Sequence, residues 1–453
     1  MSEPLKLKDE TLWELSQTNN VARFISFDQN LNLRYSRISV NDSEISGSAI
    51  EVIANLMNLC GSVNIRTFLA EQSSGNPFVY GLTDTNDVFE KISKYGKMGY
   101  FCLVNETISV NDGGISGVVD QGIVEFSPDD TPRAVEKPGI CALSLDLATK
   151  ILSKVYGVDD PIPSEPGKRV EFSLHPNRVG IRNERVLVWE SSSSQLQETY
   201  ETYPTWPNNF SRHIGDKVFG LLIANAIGLP VPFGSVVGRR VSPFTFGEST
   251  NSGEVWIRTC PFIQEPGKYT TTRNWTDPFA LMQTEDPENK NIQALIFQEG
   301  VLASFSGATY PDRVTPTIEG VMGTGEEFMS GSRSPEILPD LVLKDVNELL
   351  RIAEERVANP VRIEWVHDGT RAWVVQMHVV PKNSLMKESL LPEKIDDWIE
   401  YEPNTGISEL MKIITVAKRN GSGVVIMKSI GITSHIGDLL RKNSIPFKLK
   451  DSL

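Results

Sequence analysis

The sequence predicts an α/β (α+β) fold that is divided into several domains. Short apolar runs typical of strands, such as residues 63–69 and 99–104, alternate with helical stretches such as residues 143–155. The chain has 453 residues, which is long for one core because domains average about 150 residues. Two stretches that contain proline and few apolar residues separate these patterns, so we expect three domains.

The expected domains comprise residues 1–165, 168–385 and 386–453. The first boundary is predicted at the proline-rich stretch Asp159–Gly167, and the second follows Pro381, where a polar, charged stretch begins. The first domain is predicted to be mixed α/β, and its role is left open. The last is expected to contain a helix, the apolar strand 423–427 and a helix that begins near Ser434. Such a unit is too small to fold alone.

The composition excludes several classes of function. Lysine and arginine number 44 against 58 acidic residues, and the net charge of −14 disfavours nucleic acid as the main partner. No run of about 18 uncharged apolar residues occurs, and the first residues do not resemble a signal peptide, so we expect a cytoplasmic protein without membrane contact. The four cysteines form no Cys-x-x-Cys pair, which disfavours a zinc cluster or a redox dithiol.

Residues 105–117 are rich in glycine and in side-chain oxygens. Such a loop can ligate a hard cation or form a pocket for a polar substrate. It can equally be a set of tight turns in which glycine and asparagine adopt positive φ angles. The sequence leaves both alternatives open.

One histidine has a position suited to chemistry. The apolar strand 423–427 is followed by a turn and by His435, which opens the predicted helix. At a helix start, free backbone N–H groups and the positive end of the dipole favour a neutral, nucleophilic imidazole that can accept phosphate. The alternative is a surface histidine beside an N-cap at Ser434.

The segment Thr433–His435, with Arg441 six residues later and Ile445–Pro446 beyond it, resembles a known motif. It is similar to the phosphohistidine motif in the swivelling domain of phosphoenolpyruvate synthase, pyruvate phosphate dikinase and rifampicin phosphotransferase. In that family the histidine accepts a phosphoryl group from ATP at one domain and carries it to an acceptor at another. The resemblance implies that His435 and Arg441 are catalytic, in a swivelling unit that is truncated.

The preceding domain, residues 168–385, resembles the ATP-grasp nucleotide-binding domain of the same enzymes, in the same chain order, and the whole resemblance covers residues 210–446. The similar segments are Gly215–Lys217, Gly228–Pro232, Ile257–Cys260, Gln298–Val301 with Ser306–Gly307 as a turn, Ile318–Glu326, and Arg362–Gln376. The resemblance implies that Lys217 and Arg258 are catalytic and bind the triphosphate. The forked guanidinium of an arginine suits phosphate oxygens.

The resemblance also implies which residues surround the nucleotide. The main chain of Gln298, Glu299 and Gly300 is expected to contact the adenine edge, and Glu319 and Glu326 are expected to line the pocket. These assignments follow from the family pattern alone.

The same pattern implies a magnesium site. Glu364 and Gln376, twelve residues apart on two strands of a hairpin, match the family's metal-binding positions, and their oxygens suit Mg²⁺ on a triphosphate. Arg362 and His378 stand where the family has aspartate and arginine, and both are expected beside the nucleotide. Either Arg362 neutralises phosphate, or metal binding is weakened and nucleotide is held without turnover.

The expected function is therefore an ATP- and Mg²⁺-dependent phosphotransferase. It would pass phosphate from ATP through His435 to an unknown small-molecule or protein acceptor. Two alternatives stay open: an ATP-grasp kinase or ligase that does not use His435, and a nucleotide-binding sensor or assembly protein with reduced catalysis. A partner protein or a homo-oligomer is possible in each case.

Overall fold

The described part of the chain forms two compact units. In the computed structural model, the described residues are 7–40, 47–69, 76–131, 137–158, 162–194, 202–263, 269, 271–311, 315–380, 395 and 397–450. The first unit comprises residues 1–145 and 158–202, and the second comprises residues 146–157 and 203–453. Both combine helices with antiparallel sheets, which confirms the predicted α/β (α+β) class. None of the helices in the described ranges is long and apolar enough to cross a membrane.

The first sheet of the first unit is antiparallel throughout, with strand order β2-β1-β5-β3-β4. Its strands are β1 (Phe24–Phe27), β2 (Leu33–Arg37), β3 (Val63–Phe68), β4 (Phe78–Leu82) and β5 (Phe101–Glu106). The accompanying helices are α1 (Lys8–Thr18), α2 (Ala49–Cys60) and α3 (Thr85–Lys97). Helix α2 begins at a capping box formed by Ser48 and Glu51. Apolar side chains of α2 and α3 pack against this sheet.

The second sheet of this unit has the order β10-β9-β6-β7-β8. Its strands are β6 (Ile115–Asp120), β7 (Ile123–Pro128), β8 (Cys141–Ser144), β9 (Lys168–Val179) and β10 (Glu184–Ser193). Strand β9 pairs with β6 from Val119↔Val170 to Ile115↔Leu174. The structure therefore differs from the predicted boundary at 165–168, because β9 and β10 return to the first unit. Residues 159–161 of the predicted linker lie outside the described residues.

The glycine-rich segment of residues 105–117, which includes the end of β5 and the start of β6, is held by hydrogen bonds within the segment and to β9. Asp112 Oδ2 lies 2.8 Å from His175 Nδ1, and the backbone N–H of Gly114 donates to Asp112 Oδ1 at 2.9 Å. His175 Nε2 lies 2.8 Å from the hydroxyl of buried Ser173. Within the described residues, no group of three His, Cys, Asp or Glu side chains could hold a metal ion. These contacts favour a structural turn for this loop.

The second unit contains an antiparallel sheet of order β12-β11-β15-β13-β14, called here the β15 sheet. Its strands are β11 (Gly234–Gly238), β12 (Phe244–Phe246), β13 (Val255–Pro261), β14 (Thr271–Arg273) and β15 (Ile292–Glu299). The helices in this part of the sequence are α4 (Leu145–Tyr156), α5 (Asn209–Ile214), α6 (Asp216–Ala226) and α7 (Pro278–Glu285). Strand β15, in the centre, pairs with β11 and β13 and contributes buried apolar residues.

A second antiparallel sheet of the same unit, the β18 sheet, has the order β17-β16-β18-β19. Its strands are β16 (Phe305–Tyr310), β17 (Thr317–Met322), β18 (Val361–His367) and β19 (Ala372–Val379), with helices α8 (Glu326–Met329) and α9 (Asp340–Val357). Ser306 and Gly307, predicted as a turn, lie within β16. A Cβ atom on Gly307 would overlap Glu319 O and the ring of buried Trp365, so the glycine permits close packing rather than a reversal.

The C-terminal part forms a parallel three-stranded sheet of order β20-β21-β22. Its elements are β20 (Trp398–Tyr401), α10 (Ile407–Asn420), β21 (Gly423–Ile426), α11 (His435–Lys442) and β22 (Phe447–Leu449). The predicted strand and the predicted helix start are confirmed as β21 and α11. These elements share an apolar core that includes Leu410, Ile414 and Ile436. The expected boundary at residue 386 lies outside the described residues.

Substituting Gly307 by Ala should lower the free energy of unfolding of the second unit by about 2 kcal/mol, because the new methyl group overlaps β17 and Trp365. Urea unfolding followed by tryptophan fluorescence measures this loss. The matched control is Gly234→Ala on β11, where the added Cβ meets its nearest atom at 3.4 Å. Equal unfolding midpoints for the two variants would contradict the packing argument.

Candidate active site

A cavity of about 510 Å³ in the second unit is lined by residues of the β15 sheet, the β18 sheet, α6 and α11. This volume lies within the usual range of ligand sites, about 300–1,000 Å³. We call this cavity the cleft. The predicted site residues that line it are Lys217, Arg258, Gln298, Glu299, Gly300, Glu326, Arg362, Glu364, Gln376, His378 and His435. Side chains far apart in the sequence thus share one cavity.

Lys217 reaches the cleft because Gly215 allows α6 to begin directly against β13. Gly215 has a φ of +99°, and a Cβ atom there would overlap the side chain of Cys260. The ammonium of Lys217 lies 3.5 Å from Thr259 O. Burial lowers the pKa of Lys217. Glu364 acts against burial, and an anionic ligand would add further negative charge beside the lysine.

Arg258 lies on β13 with its guanidinium directed toward β19. Its Nη1 donates to Val375 O at 3.0 Å and to Gln376 Oε1 at 3.4 Å. Burial lowers the pKa of Arg258, but an arginine stays protonated in proteins. The cleft therefore holds a fixed positive charge whose planar donors suit phosphate oxygens.

The β18–β19 hairpin places four predicted residues together. Glu364 pairs with Gln376 across the two strands, and Arg362 pairs with His378. Side chains two residues apart on a strand share a face, which accounts for the joint position of all four in the cleft. Nε2 of Gln376 contacts Nε2 of His378.

The carboxylate of Glu364 is the best candidate for a metal ligand. Burial acts to raise its pKa, but His435 when protonated, together with Arg362 and Arg258, outweighs burial, so the pKa of Glu364 lies below the usual range and the carboxyl is ionised at neutral pH. It makes no hydrogen bond to any described residue. A half-buried, ionised oxygen without a donor fits Mg²⁺, which prefers carboxylate oxygens. The fit of Gln376 is weaker, because its oxygen already faces Arg258.

His435 is the first residue of α11, and Ser434 is the N-cap residue. Burial lowers the pKa of His435, so its imidazole is neutral at pH 7. The ring makes no hydrogen bond to a described residue. A neutral imidazole with an unused lone pair in the cleft can act as a nucleophile or as a base. The pKa of His378 is lowered to about 4, mainly by burial, so that ring is neutral as well.

The residues expected to contact adenine differ in which of their hydrogen-bonding groups already have a partner. The N–H of Gly300 donates to Glu254 O at 2.9 Å. The carboxylate of Glu299 accepts from the N–H of Thr250 at 2.7 Å. Nε2 of Gln298, in contrast, is buried without a hydrogen-bond partner among the described residues, although it lines the cleft. The Gln298 amide is therefore the group best placed to contact a base.

Arg362 is engaged by the C-terminal elements. Its Nη1 lies 2.8 Å from Asp438 Oδ2, and its Nη2 donates to Thr433 O at 2.8 Å. The exposed fraction of Arg362 is only 4%. Arg362 thus binds the segment that carries His435, and its guanidinium pairs with Asp438.

Two predicted site residues, Glu319 and Arg441, lie outside the set of described residues that line the cleft. Glu319 accepts hydrogen bonds from Thr433 instead. The guanidinium of Arg441 lies 4.0 Å from the ring centroid of Tyr310. A separation of six residues rotates Arg441 about 240° around the helix from His435, which turns it away from the cleft.

The sequence analysis missed several cleft residues that simple periodicity could have identified. Asp438 and Lys442 follow His435 by three and seven residues, which places them on the same helical face. Trp256 precedes Arg258 by two residues on β13 and therefore shares its side of the sheet. All three line the cleft.

No protein-family model matches the sequence, and no curated protein matches it. Solved structures match parts of the chain. The D-alanine–D-alanine ligase from Helicobacter pylori has 7% identity and a TM-score of 0.26, and the match covers 38% of this chain and 52% of that one. A RimK-domain ATP-grasp protein from Sphaerobacter thermophilus has 16% identity and a TM-score of 0.24, with 40% and 64% covered.

A third solved structure is an ATP-grasp ligase from Chryseobacterium gregarium that is associated with RiPPs and was solved with ADP, a leader and a core peptide. It has 13% identity and a TM-score of 0.25, and the match covers 42% of this chain and 59% of that one. The matches to these three proteins span 52–64% of their lengths. Likeness of this extent assigns no substrate or reaction, so the function proposed below rests on the side chains of the cleft.

The Asp438–Arg362 pair should make the free energy of unfolding of the second unit depend on pH in the acid range. Burial acts to raise the pKa of Asp438, but Arg362 and Lys442 outweigh it and lower the pKa to about 2. A lowered carboxyl pKa contributes stability above the unfolded value near 3.9, and this contribution is lost as the pH falls through the folded value. Asp438→Asn should therefore cost about 2 kcal/mol at pH 7.

The difference between wild type and Asp438→Asn should shrink as the pH falls from about 4 to about 2. Urea titrations at a series of pH values measure it, and Glu409→Gln on exposed α10 is the control, since its pair with Lys412 is exposed. A difference that does not change over this range would contradict an ionised Asp438.

Proposed function

We propose that the second unit is an ATP-dependent phosphotransferase site of the ATP-grasp type in which His435 accepts phosphate from ATP. The observation that carries this proposal is that His435 lines the same cleft as Lys217, Arg258 and Glu364. Two cations for phosphate, a carboxylate for metal and a neutral nucleophile are the parts that phosphoryl transfer requires. The dikinase family, which the sequence resembles, has the same parts in the same chain order.

In the proposed reaction, a ring nitrogen of His435 attacks a phosphorus atom of ATP. The nitrogen lone pair forms the N–P bond while the bridging P–O bond breaks, and its electrons leave on the nucleotide oxygen. Transfer of the γ-phosphate releases ADP, whereas transfer of the terminal pyrophosphate releases AMP. Because the pKa of His435 is lowered, the attacking lone pair is free at neutral pH.

The other cleft residues position the phosphates and neutralise their charge. Lys217 and the fork of Arg258 bind phosphate oxygens, and the Gln298 amide contacts the base. Bound Mg²⁺, held by Glu364 and by the oxygen of Gln376 if it turns from Arg258, would supply further neutralisation of the phosphates. The acceptor that removes phosphate from His435 is left open, as a small molecule or a protein.

A second candidate is an ATP-grasp kinase or ligase that transfers phosphate directly to a carboxylate or hydroxyl acceptor. The observation that favours it is the docked position of the C-terminal elements, which Arg362 and Glu319 bind to the β18 sheet. A docked neutral histidine can accept the proton of an acceptor hydroxyl without being phosphorylated itself. In this case His435 serves as a base or is dispensable.

Incubation with Mg²⁺ and ATP labelled separately at the β- and γ-phosphates tests the first proposal. Wild type should acquire protein-bound label that is stable to base and lost in acid, with stoichiometric release of AMP or ADP. His435→Ala should acquire none, because the phosphorus acceptor is removed. His378→Asn should still carry the label, since the second cleft histidine is not its attachment site.

Each other outcome assigns a different function. Nucleotide turnover without protein label, only in the presence of an acceptor, would contradict the phosphohistidine and support direct transfer. Tight ATP binding with neither label nor ADP or AMP would favour the alternative of a nucleotide-binding sensor.

Glu364→Gln should weaken the binding of ATP in the presence of Mg²⁺ by at least roughly ten-fold, because the amide keeps the shape of the side chain and removes the charge that holds the ion. Calorimetric titration with ATP in Mg²⁺ and in EDTA separates the metal-dependent part of the affinity. Glu336→Gln, which alters a carboxylate paired with Arg333, is the control. Unchanged metal dependence in Glu364→Gln would exclude Glu364 as a ligand.

A further inference from the structure

Glu319 binds the loop that precedes His435. Its Oε2 accepts the backbone N–H of Thr433 at 2.8 Å and the hydroxyl of Thr433 at 2.9 Å. Glu319 lies on the edge strand β17, whereas Thr433 lies two residues before the histidine. One carboxylate oxygen thus fixes both the main chain and the side chain of this residue.

Arg362 binds the same loop and the following helix from the other side. It donates to Thr433 O and pairs with Asp438 on the first turn of α11, each at 2.8 Å. The N–H and the C=O of Thr433 are therefore both held by side chains of the β18 sheet. His435 lies between Thr433 and Asp438 in the sequence, so its backbone is fixed on both sides.

Close packing supports this arrangement at two glycines. A Cβ atom on Gly431 would overlap the ring of Phe328 in α8, and one on Gly331 would overlap Ile436. Ile436, the residue after the histidine, is fully buried in the C-terminal core. Gly431 and Ile436, on either side of the histidine, are thus residues that fit this contact.

We propose that Glu319 and Arg362, with Thr433 and Asp438, form a histidine clamp that positions His435 for attack on phosphate. Glu319 and Arg362 are positioning residues, because they act through Thr433 and Asp438 and not on the nucleotide. This inference deepens the proposed function and rests on it. It assigns a role to two residues that the family pattern places beside the nucleotide.

Glu319 is the sharper test because it does not line the cleft. Glu319→Ala should lower the rate at which His435 acquires label from ATP by roughly 100-fold, as expected for a misplacement of about 1 Å, while the Kd for ATP stays at the wild-type value. Glu336→Ala is the matched control. Glu336 also accepts a backbone N–H, that of Met322 on the same strand, and forms no bond to the C-terminal elements.

Arg362 lines the cleft, so a charge exchange is needed to separate positioning from contact with phosphate. Arg362→Asp and Asp438→Arg should each reduce labelling of His435, and the double variant should restore much of it, since the pair is re-formed with opposite polarity. An arginine that acts on phosphate itself would not be restored in this way. Failure of the double variant to recover would overturn the clamp role of Arg362.

Hydrogen–deuterium exchange of the amides of residues 431–442 tests the clamp without any phosphorylation. Exchange should accelerate in Glu319→Ala and in each single charge variant, and should return toward wild type in the double variant. Unchanged exchange would overturn the clamp even if labelling is lost. If exchange responds as expected but wild type never acquires label, the phosphotransferase proposal fails while the attachment of this segment stands.

Discussion

The position of His435 depends on the contacts of one buried arginine. Arg362 is 4% exposed and joins strand β18 to Thr433 and Asp438, whereas its neighbour on the same strand, Glu364, faces the cleft. A buried guanidinium is costly unless it is paired, so the strand and the helix that carries the histidine are coupled. Two neighbouring positions on the same face of β18 thus have different roles: Arg362 holds the segment of His435, and Glu364 can contact a ligand.

The electrostatics of the cleft follow from this coupling. Arg362 and Lys442 both pair with Asp438, whereas Lys217 and Arg258 have no carboxylate among the described residues within hydrogen-bond distance. Arg362 and Arg258 help to keep the pKa of Glu364 low, so its carboxylate stays ionised. Burial leaves His435 neutral, so the nucleophile and the charged groups coexist at neutral pH. The cations Lys217 and Arg258, in the same cleft as the ionised Glu364, favour an anion that arrives together with a divalent cation.

The sequence predicted most of the local elements of the second unit, because strong periodicity marks them. Strands β18 and β19 and the start of α11 follow from short-range patterns, whereas the joint position of Glu364 and Gln376 was implied by the resemblance. The partner of Glu319 could not be predicted in this way, since Thr433 is 114 residues further along the chain. The return of β9 and β10 to the first unit was missed because it also depends on a long-range contact. The proline-rich composition indicates a connection, but the pairing of β9 with β6 places the two strands in the first unit.

Arginine at position 362, where the family that the motif resembles has aspartate, has a physical explanation. An aspartate at this position would place a second carboxylate beside Glu364 and would repel Asp438. Arginine at this position attracts Asp438 and binds Thr433 O, which stabilises the docked arrangement. Arginine in place of aspartate therefore removes a potential metal ligand and adds bonds to the segment that carries His435. In the proposed reaction, such a cleft would rely on Glu364 for metal, and His435 would already be in place when the nucleotide binds.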